Sequence, residues 1–160
     1  MTITTVHAVH FSPTGTVEKT VCRIARNLAK SLGAAYKEFS YAVPANREKE
    51  LSFTDHDLVV WGSPTYAGRV PNLLLPYLTG KVKGNGALAV PVVLFGNRNF
   101  DDSLMELHHI LDVGHAAGLQ GAAGADQGAV GFQAQSGVVQ GGDGHDIGPV
   151  GGVAFAVGVG

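Results

Sequence analysis

The sequence has little cysteine, no cluster of positive charge and no long apolar run. Cys22 is the only cysteine among 160 residues, so neither an internal disulfide nor an iron–sulfur cluster held by several cysteines is possible. The formal net charge is −2, which gives no electrostatic reason to expect nucleic acid or an anionic membrane surface as a partner. Because no run of about 18 apolar residues and no signal-peptide pattern occurs, we expect a cytoplasmic protein of about one domain.

The composition changes after residue 113. All 11 Lys and Arg residues lie at or before Arg98, and from Gly114 onward most positions are Gly, Ala, Val or Asp. Such a segment has little large apolar surface to offset its backbone entropy. Two interpretations of residues 114–160 stay open: a Gly-rich tail, or a segment translated from a shifted frame, since codons for these four amino acids begin with guanine. We expect a domain over residues 1–113 followed by a poorly ordered segment.

Apolar periodicity in residues 1–113 predicts alternating strands and helices. The strands are expected at 2–11, 34–39, 57–61 and 87–95, and the helices at 17–32, 72–78 and 103–111. Gly33 is expected to end the first helix, Asp101 or Asp102 to cap the last one, and Pro71 to lie in the first turn of the second. Pro91 is awkward inside a central strand. The alternation predicts a doubly wound α/β fold with a parallel sheet covered on both faces.

The loop after the first predicted strand reads Ser12-Pro13-Thr14-Gly15-Thr16 and leads into a helix. Its backbone N–H groups, its hydroxyls and the positive helix end would converge on one point, where an anion could bind. It has neither the Gly-Lys-Ser/Thr ending of an ATP-binding loop nor the three spaced glycines of a dinucleotide fingerprint. Ordinary helix capping is the alternative interpretation. A single phosphate held by neutral donors is the ligand that we expect.

Two further loops follow the third and fourth predicted strands. Residues 62–71 place Tyr66 between two glycines, and residues 96–101 place Phe100 beside backbone amides. Ligands of open parallel sheets bind beyond the carboxyl ends of the strands, where all three loops would meet. Two aromatic walls with hydrogen-bonding edges form a slot for a flat ring with polar edges.

Together, these three loops resemble those of the flavodoxin-like domain at the head of flavodoxin–ferredoxin fusion proteins. The likeness covers about residues 4–113, with 11–16 as the phosphate loop and 62–71 and 96–102 as the two flavin-flanking loops. It implies a five-stranded sheet in the order 2-1-3-4-5, non-covalent FMN and electron transfer with a redox partner such as a ferredoxin or a flavin reductase. The implied cofactor-binding residues are Ser12, Pro13, Thr14, Gly15, Thr16, Pro64, Thr65, Tyr66, Ala67, Gly68, Gly96, Asn97, Arg98 and Phe100.

Within that resemblance, Tyr66 and Phe100 would flank the flavin ring, and backbone amides of both loops would meet its polar edge. No catalytic residue is implied, because the flavin carries the redox chemistry. The sequence departs from the family at two places. Val17 stands where a hydroxyl residue is usual, which removes one donor worth about 1 kcal/mol. No apolar run after Gly114 matches the fifth strand, and the cysteine-rich ferredoxin module is absent.

Other interpretations stay open at this stage. An FMN-dependent NAD(P)H oxidoreductase would use the same fold, and a truncated relative would bind no cofactor. His108, Asp112 and His115 have the spacing of a helical metal site, although Gly114 is expected to break that helix and we predict no metal. Arg69 and Arg98 could each stabilise reduced flavin, recruit an acidic partner or be a solvated loop charge. Trp61 is expected in the core and not at the cofactor, and Cys22 is expected on a buried helix face.

Overall fold

The computed structural model describes residues 2–95 and 101–111, together with the backbone of 120–121 and 153–155. The elements in chain order are β1 (Thr5–His10), α1 (Thr16–Leu32), β2 (Ala35–Ser40), a 3₁₀ helix (Pro44–Glu48), β3 (Leu51–Ser52), β4 (Asp57–Pro64), a second 3₁₀ helix (Asn72–Leu74), α2 (Leu75–Gly80), β5 (Val82–Lys83), β6 (Leu88–Leu94), α3 (Ser103–His109), β7 (Gln120–Gly121) and β8 (Val153–Phe155). None of the helices in these ranges is long and apolar enough to cross a membrane.

The central sheet has the strand order β2-β1-β4-β6-β7, and β8 pairs with β6 as well. All pairs along that path are parallel, whereas β8 runs antiparallel to β6. The first four predicted strands therefore lie in the predicted order 2-1-3-4, and the fold is a flavodoxin-like doubly wound α/β fold. The short strands β3 and β5 form a separate parallel pair that the sequence pattern did not predict.

The family resemblance implies a fifth strand on the outer side of β6, although no apolar run after Gly114 matches it. Gln120–Gly121 pairs with Leu88 and Ala89, in the position of that strand, over only two residues. Farther along, β8 pairs with the last three residues of β6. Most of residues 114–160 lie outside the described residues. The prediction that this segment is poorly ordered therefore stays a prediction.

Pro91 lies in β6, opposite Trp61 of β4. The Leu94 carbonyl accepts the Thr65 N–H at 2.7 Å, so Leu94 directs its main-chain groups toward β4. Because these groups alternate along a strand, the nitrogen of Pro91 faces the opposite, outer side. Its missing N–H therefore removes no hydrogen bond to β4, and the proline is compatible with an interior position of β6.

The two faces of the sheet carry separate apolar clusters. On one face, α1 packs on β1 and β4, and its buried residues are Val17, Val21, Cys22, Ala25 and Ala29. The opposite face is covered by α2 and α3 and contains Trp61, Tyr41, Phe53, Leu78 and Leu107 among its buried side chains. Since both faces are covered, β4 is buried along nearly its whole length, as its near-continuous apolar run predicts.

The helix boundaries confirm some predictions and correct others. Gly33 ends α1 in the left-handed conformation at φ 64°, as predicted. Pro71 does not begin an α-helix, because a 3₁₀ helix intervenes before α2. Asp102 occupies the position before α3, but its side chain makes no capping hydrogen bond. Asp102 therefore lies at the predicted capping position, but its side chain does not make the expected hydrogen bond.

Candidate functional site

The candidate site lies at the carboxyl edge of β1 and β4, the two central strands. From β1 the chain order runs outward to β2 on one side and to β4 and β6 on the other, so the switch point of the sheet lies between β1 and β4. The loop 11–15 leaves β1 there, and residues 65–70 leave β4 next to it. The Phe11 N–H donates to the Gly62 carbonyl at 3.1 Å, which ties the two exits together. The structure thus brings two of the three predicted loops to one edge.

The predicted phosphate loop forms the start of α1. Gly15 precedes the helix with φ 82°, in the left-handed region that favours glycine, and a Cβ built on it would meet no atom within 4 Å. The Ser12 hydroxyl accepts the Glu18 N–H at 3.0 Å, so it caps the helix and keeps its own proton for another acceptor. The Thr14 and Thr16 side chains are exposed, and no described residue is a hydrogen-bond partner of either hydroxyl.

Val17 has a packing role in this structure. It is buried at 3 % exposure in the cluster beneath α1. A Cβ on Gly62 of β4 would lie 2.8 Å from the Val17 Cγ1 and closer still to the Val21 Cγ2. Gly62 therefore lets α1 approach β4 closely, and the sequence pattern, which placed Gly62 in a loop, missed this role. It lies within β4.

The loop after β4 is a tight turn that presents an aromatic ring. Tyr66 and Arg69 hydrogen-bond through their backbones in both directions, at 2.9 and 3.1 Å. The turn between them has positive φ angles at Ala67 (51°) and Gly68 (76°). The Tyr66 side chain is 48 % exposed, so its ring is accessible at this edge. Pro64 is the last residue of β4 and sets where the turn begins.

Contacts with α3 hold this turn in place. The Thr65 and Ser103 hydroxyls lie 2.7 Å apart, and Ser103 is fully buried. The Arg69 guanidinium pairs with the Glu106 carboxylate, whose pKa is lowered by that hydrogen bond, with burial opposing the shift. The sequence left Arg69 as a charge that stabilises reduced flavin, recruits an acidic partner or is solvated; in the structure its side chain pairs with Glu106.

The third predicted loop is described only at its end. Gly96, Asn97, Arg98 and Phe100 lie outside the described residues, as do Asp112 and His115 of the metal pattern. Asp101 is described, with φ 44°, and a Cβ on Gly68 would lie 2.8 Å from the Asp101 Cβ. The end of the third loop therefore touches the second one, as the predicted convergence requires.

Trp61 and Tyr41 lie in the core, which confirms the prediction for Trp61. Both side chains are fully buried, and the Trp61 Nε1–H donates to the Tyr41 Oη at 2.8 Å. The Tyr41 hydroxyl in turn donates to the Gly62 carbonyl at 3.2 Å. Burial raises the pKa of Tyr41, so the hydroxyl stays protonated and keeps this chain of bonds intact.

A second group of polar side chains was not predicted from the sequence. His10, Cys22 and Glu38 come from β1, α1 and β2, and their potential ligand atoms lie within 4.8 Å of one another. Burial raises the pKa of the Cys22 thiol. Burial also opposes ionisation of Glu38, but hydrogen bonds from Tyr36 and His10 outweigh it and lower the pKa of that carboxyl. Strand register joins His10 to Glu38, and the packing of α1 on the sheet adds Cys22, so spacing along the sequence carries no signal for this group.

A scan against protein-family models finds no match to the chain, and a search of curated proteins finds no significant similarity. The proposed function therefore rests on the fold and on local geometry.

Proposed function

We propose that the chain binds FMN at the carboxyl edge of β1 and β4 and acts as an electron carrier. The observation that carries this proposal is that the loops 11–15 and 65–70 lie side by side at the switch point of a doubly wound sheet. Ligands of such sheets bind at this point. One loop begins a helix with open space at its glycine, and the other presents an exposed aromatic ring. A phosphate attached to a flat ring system matches this pair of features.

The residues after β1 fit a phosphate with neutral donors. The N–H groups at the start of α1 and the hydroxyls of Ser12, Thr14 and Thr16 would donate to it. No Lys or Arg lies within the loop, so the helix end would supply the attraction. Gly15 would allow close approach, since a side chain there would project into open space that we assign to the ligand.

The turn after β4 would hold the ring system. Tyr66 would stack on one side, and the amides near Ala67 and Gly68 would donate to the polar edge of the flavin. When bound, FMN supplies one- and two-electron redox chemistry, so no side chain needs to act as acid or base. The resemblance of the first 113 residues to the flavodoxin-like domain of flavodoxin–ferredoxin fusion proteins supports the same cofactor.

The test is an FMN titration of the purified chain, followed by flavin fluorescence and visible absorbance. Gly15→Val is expected to weaken binding at least about tenfold, or about 1.4 kcal/mol. Its matched control is Gly33→Val, at the other end of α1. Gly33 also has a positive φ and no atom within 4 Å of a built Cβ, so the backbone strain is comparable. The control should lose stability and keep its FMN affinity.

Equal loss of affinity in both glycine variants would mean that helix strain, and not the phosphate loop, controls the result. A wild-type chain that stays colourless with added FMN would refute the proposal. The flavin-loaded protein is further expected to oxidise NAD(P)H only when a separate reductase is added. Rapid oxidation without one would assign the chain to the oxidoreductases that use this fold.

A further inference from the structure

Three elements place a potential metal-ligand set beneath the loop 11–15. Val6 and Ala8 of β1 pack in the cluster under α1, and His10, two residues on, faces the same side by strand alternation. On β2, Glu38 pairs with Ala8 and so faces α1 as well. Cys22 completes the set from the buried face of α1.

The donor chemistry of this set suits a divalent cation of the zinc class. An imidazole nitrogen, a thiolate sulfur and a carboxylate oxygen are the three donor types that zinc sites use. A deprotonated thiol and an ionised carboxylate together balance a charge of +2. Donor atoms around tetrahedral zinc lie roughly 3.5 Å apart, from bond lengths of about 2.0–2.3 Å. The present separations reach 4.8 Å, so a modest side-chain movement would close the site.

His10 is a buried histidine whose two ring nitrogens differ in their contacts. Its side chain is 1 % exposed, its Nε2 lies 3.3 Å from the Glu38 Oε1, and its Nδ1 has no hydrogen-bond partner among the described residues. A buried polar nitrogen without a partner is uncommon in folded proteins. A cation shared with Glu38 would bind Nε2, the nitrogen that faces the carboxylate, and the imidazole proton would then lie on Nδ1.

We propose that His10, Cys22 and Glu38 bind one zinc-class divalent cation, with water in the fourth position. Two neighbours hold the carboxylate in place: the Tyr36 hydroxyl donates to the Glu38 Oε2 at 2.9 Å, and an Arg26 nitrogen lies 3.5 Å from the same oxygen. Such outer contacts orient ligands in metal sites. The Arg26 side chain is 60 % exposed, so solvent screens its charge from the cation.

The proposed cation site shares no ligand residue with the proposed FMN site, although His10 directly precedes the loop 11–15. The cation site lies on the α1 face of the sheet, whereas the proposed FMN site lies beyond the carboxyl ends of β1 and β4. Cation binding can therefore be measured in the absence of FMN. Failure of one proposal therefore leaves the other standing. The water position would keep the site open to exchange, as in zinc sites with three protein ligands.

The experiment is a Co²⁺ titration of the chelator-treated full-length protein. A single saturating event is expected, with a thiolate-to-cobalt charge-transfer band in the ultraviolet and strong visible bands of tetrahedral Co²⁺. One equivalent of Zn²⁺ should remove both signals. Cys22→Ser should abolish the charge-transfer band and weaken Zn²⁺ binding at least about tenfold in competition with a chromophoric chelator. His56→Gln is the matched control, because His56 is an exposed histidine outside the cluster.

A second variant covers the case in which Cys22→Ser does not fold. Glu38→Gln changes a partly exposed side chain, and it should weaken Zn²⁺ binding about tenfold while leaving the thiolate band in place. Circular dichroism would report the fold of each variant. Absence of a saturable thiolate band in the wild-type protein would overturn the proposal. So would Zn²⁺ affinity that falls in His56→Gln and persists in the cluster variants.

Discussion

The Arg69 guanidinium forms two hydrogen bonds with the Glu106 carboxylate, at 3.0 Å from Nε and 2.6 Å from Nη2. The same carboxylate accepts the Val70 N–H at 2.7 Å. A single side chain of α3 therefore fixes two consecutive residues of the loop after β4. The pair shapes the turn that presents Tyr66.

Glu106→Ala should lower the free energy of unfolding by about 1–3 kcal/mol, because the buried Val70 N–H loses its acceptor. Arg69→Ala should cost less, since its guanidinium is exposed and screened by water. Urea denaturation followed by the fluorescence of Trp61, the single tryptophan, measures both. A larger loss in Arg69→Ala would show that the ion pair, and not the Val70 contact, stabilises the loop.

Gly62→Ala should destabilise the domain by about 1–3 kcal/mol, because the new methyl group would overlap Val17 and Val21. Gly80→Ala is the control, since a Cβ there meets no atom within 4 Å. The control should be neutral or stabilising by a few tenths of a kcal/mol. Adding Val21→Ala to Gly62→Ala should recover part of the loss. Equal midpoints for both single variants would contradict the close approach of α1 to β4.

Acid should destabilise the domain in part through Asp57. Burial alone would raise the pKa of its carboxyl, but hydrogen bonds from His7 and from the Thr54 N–H and hydroxyl outweigh burial and lower the pKa below the ordinary 3.8. A carboxyl whose pKa is lowered by folding contributes stability that is fully present above its unfolded-state pKa and is lost as the pH falls through the folded-state pKa. Asp57→Asn should therefore show a shallower fall in stability below about pH 4. Denaturation midpoints between pH 3 and pH 6 measure this, and identical acid slopes would contradict it.

Glu18→Gln should tighten FMN binding if the phosphate loop is the binding site. Glu18 lies in the first turn of α1, where its carboxylate occupies the field that a phosphate would use. Removing that charge is worth about 0.3–1 kcal/mol, or roughly a two- to fivefold gain in affinity at low salt. Lys30→Gln, in the last turn, should leave the affinity unchanged. Gains that persist at high salt would point to a packing effect.

The layout of the fold was accessible from the sequence because buried strands and an amphipathic helix leave strong periodic patterns. The first four predicted strands appear in the expected order, and α1 ends at Gly33 as predicted. The strand β3 was missed because two residues are too few for a pattern. Residue type alone predicts Asp101 or Asp102 as the cap of α3, whereas capping also depends on side-chain orientation, and Asp102 at the cap position makes no such hydrogen bond.

Only part of the candidate site could likewise be predicted from the sequence. Contiguous loops such as 12–16 and 64–68 are visible in a sequence, since turn residues cluster at strand ends. Contacts between distant elements are not. The pairing of Arg69 with Glu106 and the group formed by His10, Cys22 and Glu38 depend on strand register and helix rotation. The roles of Gly62 and Val17 were hidden for the same reason, because a close approach involves two elements at once.

Pro91 has a further consequence for the solution behaviour of the protein. With no N–H on its outward side, it interrupts the hydrogen-bonding row of β6, and the two strands on that side pair with separate stretches of it, residues 88–89 and 92–94. An invading strand from another molecule needs an unbroken row to extend the sheet. Pro91 therefore limits how far a strand of another molecule could pair along the outer side of β6.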